Sequence, residues 1–217
     1  MTDTKKLIED GNAMLGIEFG STRIKAVLID ENHTPIAGGA HDWENRLENG
    51  IWTYSLDDIL GGLSSCYADL KKDVQSKYGI KLTKLKAIGI SAMMHGYLAF
   101  DKNDNLLVPF RTWRNTITGQ ASEELSSLFG YPIPERWSIS HFYQSILNNE
   151  PHVKDVAFFT TLAGFIHMLL TGKKVLGIGD ASGMFPVEFA TKAYNTKMCG
   201  QFNDLIKSKG VSQKLED

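Results

Sequence analysis

Three short turns of small residues hold most of the reactive atoms of this 217-residue chain. Gly20-Ser21-Thr22 follows an apolar run, with Glu18 two residues before it. Its backbone N–H groups, two hydroxyls and a nearby carboxylate suit a phosphate with bound Mg²⁺, although a plain hairpin with a polar turn uses the same residues. Met94-His95-Gly96 follows a second apolar run, and His95 could donate to a sugar hydroxyl or serve as a structural hydrogen-bonder, the commoner fate of a lone histidine. Asp180, in Gly179-Asp180-Ala181-Ser182-Gly183, could be a general base or cap a helix. Trp113 could stack on the C–H face of a sugar or belong to the core. In open α/β sheets ligands gather at strand ends, so three turns on one sheet edge would make a single cleft.

The elements that must position these turns are readable from periodicity. Leu15, Ile17 and Phe19 share one strand face and Glu18 points to the other. Beyond the turn Ile24, Ala26 and Leu28 alternate with Arg23, Lys25, Val27 and Ile29, so Leu15–Asp30 is expected to be a β-hairpin. Ile36–His41 adds a third strand, giving an antiparallel meander. Trp52 and Tyr54 extend a short strand or line a loop. Ser55 caps a helix with Asp57 and Asp58 at its positive end, and Ile59, Leu60, Leu63, Tyr67, Leu70 and Val74 recur at helical spacing until Tyr78-Gly79. Lys71-Lys72-Asp73 is its solvated face.

Leu85–Ser91 reads as a buried strand and Tyr97–Asp101 as another. Helices are expected over Thr118–Phe129 and Phe142–Asn149, with Tyr131–Ile139 as loop. Val156–Thr160 is a strand, Leu162–Leu170 an apolar helix with Gly172 as its C-cap, Lys174–Ile178 a short strand, and Met198–Lys209 a helix. His167 is a core residue, and His33, His41, His141 and His152 lack metal-ligand spacing. No repeat or low-complexity linker interrupts the chain, and one compact α/β domain is the simplest account.

The composition is that of a soluble globular protein, 42% hydrophobic and 22% charged with a net charge of −2. That balance argues against a nucleic-acid partner. Cys66 and Cys199 form no Cys-x-x-Cys motif, which fits a reducing cytoplasm. The charged start has no signal-peptide core, and no run reaches the length of a membrane span.

Taken together, the motifs resemble the N-terminal domain of the FGGY carbohydrate kinases, nearest to xylulose-kinase-like members, over about Met14–Lys207. Glu18-Phe19-Gly20-Ser21-Thr22-Arg23-Ile24-Lys25 matches the family's first phosphate motif, Asp-x-Gly-Thr-x-x-x-Lys. Met94-His95-Gly96 matches its Met-His-Gly sugar motif, and Trp113-Arg114-Asn115 stands in place of Trp-x-Asp. Asp180-Ala181-Ser182-Gly183-Met184 matches the motif of the catalytic aspartate.

The resemblance implies a ribonuclease-H-like fold of the actin-like ATPase superfamily, an α/β domain whose mixed sheet opens with the three-strand antiparallel meander and is flanked by helices. It implies ATP and Mg²⁺ as cofactors, with Glu18 holding the metal through water, and Gly20, Ser21, Thr22 and Lys25 facing the transferred phosphate. Asp180 is the implied catalytic residue. His95 and Asn115 would bond sugar hydroxyls, between apolar walls from Met94 and Trp113.

The expected organisation is a lead-in over residues 1–13 and a sugar-binding domain over 14–217. Its implied partners are the sugar and a C-terminal ATP-binding lobe of the same protein, absent from this chain; a homodimer is left open. The favoured reaction is phosphorylation of a ketopentose such as xylulose or ribulose, with no turnover of ATP by this chain alone. Glu18 and Asn115 replace family aspartates and Met184 a threonine, and Leu162-Ala163-Gly164 is small where relatives carry charge. These departures keep a second reading open, a catalytically silent sugar-binding or regulatory protein on a kinase scaffold. A chaperone-type nucleotide-binding domain is disfavoured by the Met-His-Gly and Asp-Ala-Ser-Gly pair.

Overall fold

Leu15, Ile17 and Phe19 are buried while Gly16 and Glu18 are exposed, and Ile24, Ala26 and Leu28 repeat the alternation on the neighbouring strand. A sheet with one covered face follows. The computed structural model describes residues 2–215; Met1, Glu216 and Asp217, at the ends of the expected segments, lie outside the described residues. In chain order the first elements are α1 (Thr2–Glu9), β1 (Met14–Phe19), β2 (Arg23–Ile29), β3 (Pro35–Asp42), β4 (Arg46–Glu48), β5 (Ile51–Thr53), α2 (Leu56–Tyr78), β6 (Ala87–Ala92) and β7 (Leu98–Phe100). They are followed by α3 (Gly119–Phe129), α4 (Ser138–Leu147), a 3₁₀ turn (Pro151–Asp155), β8 (Phe158–Thr160), α5 (Leu162–Thr171), α6 (Ile178–Ala181) and α7 (Thr196–Ser208).

Two compact units divide the chain. The first takes the residues up to Asn45 together with Tyr54–Met93, and the second takes Arg46–Thr53 and the residues from Met94 onward. In the first, the strand order is β3-β2-β1-β6, with β1–β2 and β2–β3 antiparallel and β1–β6 parallel. The expected hairpin and meander are therefore present, in a mixed sheet. Helix α2 begins with a reciprocal capping box between Ser55 and Asp58 and stops at Gly79, whose φ is 68°, as glycine permits. Its backbone lies directly on β3: a Cβ at Gly39 would stand 2.3 Å from the Leu70 nitrogen and 2.5 Å from the Cys66 oxygen. That close approach seals Ile24, Leu28, Ile59, Cys66 and Leu70 into the core.

The expectation that Leu85–Ser91 is a buried strand is corrected. The strand forms, as β6, but it lies at the sheet edge outside β1, and Ile88 is 49% exposed.

In the second unit, α3, α4 and α7 close over a core that includes Tyr97, Leu125, Phe142, Tyr143 and Phe202. Helix α4 starts at Ser138, four residues before the expected Phe142, and its start carries no polar cap that would mark it in the sequence. Trp137 occupies the N-cap without a side-chain bond, and the Ser138 hydroxyl donates instead to the Gly96 carbonyl at 2.6 Å. Lys174–Ile178 is not a strand. It runs as an irregular segment into the short turn α6, and Leu176 fills the space left by the missing side chain of Gly164, where a Cβ would lie 2.5 Å away. Among the described residues no helix is long and apolar enough to cross a membrane.

A polar cluster is buried in this unit. The Arg111 guanidinium pairs with Glu150 and donates to the Ser145 hydroxyl at 3.0 Å, and it lies over the Tyr97 ring. His141 stacks on the same ring, with neither ring nitrogen hydrogen-bonded among the described residues. Burial holds its imidazole neutral and pushes its pKa down to about 3, and burial also depresses His95 and His152. The unfolded chain protonates these rings near the ordinary value of about 6.5, so between the folded and unfolded values it binds more protons than the native state and stability falls as pH falls. Calorimetric melting at pH 7.5 and 5.5 is expected to show a lower Tm at the acid end, and His141→Phe is expected to flatten that slope. An unchanged slope in the variant would remove His141 from the account.

Candidate active site

The phosphate-motif turn belongs to the first unit. Its ends are fixed by the Gly20 N–H donating to the Arg23 carbonyl at 3.0 Å. Its carbonyls are held from outside: the Trp43 indole donates to Gly20 at 2.7 Å and the Tyr54 hydroxyl to Ser21 at 2.6 Å, while the Trp43 and Tyr54 rings stack at 4.1 Å. With the carbonyls tied back, the Ser21 and Thr22 side chains stay exposed. Trp43 and Tyr54 are supports that sequence reasoning missed; their spacing from the turn carries no local signal.

Glu18 and Lys25 face each other across the β1–β2 register with 3.6 Å between Nζ and Oε2, both about half exposed. Such a lone carboxylate fits Mg²⁺, which keeps several waters and draws its other ligands from phosphate. Among the described residues no group of three or more acidic, histidine or cysteine side chains forms a metal cage.

The other candidates, Met94, His95, Trp113, Asn115 and Asp180, belong to the second unit. His95 has φ 69° and Gly96 φ 89°, two successive left-handed residues. Such a conformation in a non-glycine residue persists only where its surroundings enforce it. Here the Gly96 N–H donates to the Arg136 carbonyl at 3.1 Å, and a Cβ at Gly96 would lie 2.7 Å from the Arg111 oxygen. The His95 Nδ1 is 3.1 Å from the Gly183 carbonyl. A carbonyl only accepts, so Nδ1 carries the proton and Nε2 of the neutral ring is an acceptor. Burial lowers the His95 pKa, with Arg136 adding to that and Asp180 opposing it. The donating nitrogen of the neutral His95 ring is thereby already engaged, and Nε2 is left as an acceptor.

Asp180 sits inside α6, whose N-cap is Gly177, so a helix-capping role is excluded. The Thr161 hydroxyl donates to its Oδ2. Burial raises the Asp180 pKa, against the opposing effects of that bond and of His95. Gly183 couples the two motifs, because a Cβ there would lie 2.7 Å from His95 Nδ1 and 3.1 Å from Met94 Cε. Thr161 is a residue that sequence reasoning missed, although a threonine just before an apolar helix is a readable cap signal.

The bridge between Tyr97 and Arg111 carries the chain from the His95 turn alongside the Trp113 segment. Trp113 is 41% exposed and Met94 43%, so neither is core. Asn115 is 2% exposed and already engaged. Its Oδ1 accepts from the Trp52 N–H at 2.9 Å, and its amide donates to the Trp52 and Thr112 carbonyls at 2.8 and 2.9 Å. It clamps β5 to the Trp113 segment. Arg114 then lies 3.8 Å above the Trp52 ring.

Residues 13–208 match the family model described as the FGGY family of carbohydrate kinases, N-terminal domain. The chain belongs to this family. Comparison with curated proteins returns no match. The FGGY chain shares its fold with a xylulose kinase from Lactobacillus acidophilus, at TM-score 0.74 and 19% identity over 90% of this chain and 40% of that one. It is equally similar to a gluconate kinase from Lactobacillus acidophilus, at TM-score 0.74 and 19% identity over 90% and 39%. Plasmodium falciparum glycerol kinase follows at TM-score 0.69 and 18% identity over 88% and 40%. The FGGY chain thus spans about two fifths of the length of these structures.

Two outcomes check this geometry. Gly183→Ala is expected to expel the His95 ring and convert its Nδ1–H tautomer to Nε2–H, read from imidazole ¹⁵N shifts; an unchanged tautomer would contradict the contact. Asn115→Asp restores the acid of the family motif, yet it sets a carboxylate against two carbonyl oxygens. It is expected to lower stability by at least about 2 kcal/mol in urea unfolding; a neutral result would contradict the clamp.

Proposed function

We propose that this chain is the sugar-binding lobe of an ATP-dependent kinase that phosphorylates a hydroxyl of a sugar or polyol, with ketopentoses such as xylulose or ribulose favoured. The observation that supports it best is the pairing about Gly183. A neutral His95 presents an acceptor, and a partly buried carboxylate with elevated proton affinity lies in the same loop system. In this reading His95 orients a sugar hydroxyl, Met94 and Trp113 supply exposed apolar surface for the C–H faces, and Asp180 receives the proton of the hydroxyl that becomes phosphorylated.

Phosphoryl transfer has a loose transition state, so the proton leaves late and the base need only orient and accept. A carboxylate whose proton affinity burial has raised suits that task better than an ordinary one. Glu18 would hold Mg²⁺ through water, and the Gly20-Ser21-Thr22 turn with Lys25 would meet phosphate oxygens, the metal serving to neutralise their charge. Asn115 acts indirectly here, through the segment that bears Trp113. Two buried free cysteines are consistent with a reducing, cytoplasmic setting, and membership of the FGGY family supports an enzyme whose nucleotide is bound chiefly by a further lobe of the same protein.

In a coupled assay of the full-length protein over ketoses and polyols, sugar-dependent ATP consumption is expected. Asp180→Asn is expected to lower kcat by about 10²–10⁴-fold. Activity of the wild type is expected to fall as pH drops through a midpoint higher than that of an ordinary aspartate, because burial raises Asp180 and it must be ionised to accept the proton. Equal consumption by wild type and Asp180→Asn would overturn the assignment. Saturable sugar binding with no ATP consumption would favour the silent scaffold.

A further inference from the structure

Thr161 has two partners and a strategic address. It is fully buried and is the N-cap of α5, where its Oγ1 accepts from the Gly164 N–H at 3.3 Å. The same oxygen donates its proton to Asp180 Oδ2. A hydroxyl has one proton and two lone pairs, so the two bonds are compatible. They also fix the hydroxyl rotor: because the N–H of the helix must be accepted, the proton is left to point at the carboxylate. The cap requirement of the helix therefore orients the donor. Oδ1 of Asp180 has no hydrogen-bond partner among the described residues.

We propose that Thr161 is a positioning residue for Asp180: its hydroxyl ties down Oδ2, so that Oδ1 is the oxygen that meets the substrate hydroxyl and takes its proton. The bonds formed are Oδ1–H and the new O–P bond; those broken are the substrate O–H, whose electron pair makes the O–P bond, and the bond from the γ-phosphorus of ATP to its bridging oxygen, whose pair leaves with ADP. This inference rests on the reading of Asp180 as the base. Its structural half, the orientation and proton affinity of the carboxylate, stands apart from that reading and can be measured without turnover.

The groups acting on Asp180 are few. His95 lowers its proton affinity, Tyr194 lies close enough for the carboxylate to raise the Tyr194 pKa, and Arg136 acts on His95. Burial works against the ionised form and the Thr161 bond works for it. Removing the hydroxyl must therefore move the carboxyl upward, and restoring it must bring the carboxyl back. A residue that only capped the helix would move nothing at Asp180.

The test is an NMR titration of the Asp180 carboxyl carbon in the 217-residue chain, in wild type, Thr161→Val, Thr161→Ser and Thr161→Gly. Glycine is nearly as good an N-cap, so it keeps the helix without a hydroxyl if the valine variant fails to fold. The midpoint is expected to rise by at least about 0.5 pH in Thr161→Val or Thr161→Gly and to stay at the wild-type value in Thr161→Ser, since a hydrogen bond to the charged form favours it. A midpoint unmoved by loss of the hydroxyl overturns the proposal. In the full-length enzyme, Thr161→Val is expected to lower kcat roughly tenfold with KM little changed, as misplacement of a reacting group does. A KM rise at constant kcat would overturn the positioning role, whereas full activity of Asp180→Asn would overturn the kinase reading and leave the titration result intact.

Discussion

One contact organises the second unit: the His95 ring seated against the backbone of Gly183. The ring reaches a carbonyl at 3.1 Å, and a side chain on Gly183 would displace it. Two motifs 88 residues apart in sequence are joined there. The hydrogen bond selects the tautomer, burial keeps the ring neutral, and the left-handed backbone at His95 and Gly96 turns the ring into place. Asp180 begins three residues before that glycine, in a helical turn closed by the Gly183 N–H donating to the Asp180 carbonyl at 3.0 Å. The geometry of Asp180 and of His95 thus comes from one short stretch of backbone.

The supports are of a different kind from the reactive groups. Trp43 and Tyr54 hold the carbonyls of the phosphate-motif turn, Asn115 holds the strand that carries Trp52, and Thr161 holds Asp180. Each is a side chain bonded to one group whose orientation matters. Preorganisation of this sort places the ordering cost in folding and leaves the reactive atoms fixed before a ligand arrives. The Asn115 clamp also accounts for one departure from the family motif. An amide offers both the donors and the acceptor that the Trp52 and Thr112 backbone requires, and a carboxylate offers only acceptors.

Legibility in the sequence followed the range of the interaction. The β1–β2 hairpin, the Ser55 cap, the Gly79 and Gly172 stops and the α2 stripe are local, and alternation and capping rules find them. The exposure of β6 was not legible, because an apolar run does not say whether its strand lies inside a sheet or at its edge. Lys174–Ile178 carries Val175, Leu176 and Ile178, a short apolar run of strand composition, but what decides its course is the hollow over Gly164 that receives Leu176, a contact with another element. The start of α4 was hidden for the same reason, since its hydroxyls are spent on the Gly96 and Pro134 carbonyls. Within the site, residue types and motif order led to His95 and Asp180. The tautomer of His95, the clamp at Asn115 and the bond from Thr161 depend on partners far along the chain, and sequence spacing does not encode them.

The central claim is that His95, held by Gly183, is a sugar contact. Isothermal titration calorimetry of a panel of ketopentoses and polyols into the 217-residue chain, with His95→Ala in parallel, tests it most directly. The account predicts a saturable heat for at least one sugar that the variant loses. The same heat and affinity in the variant would contradict it.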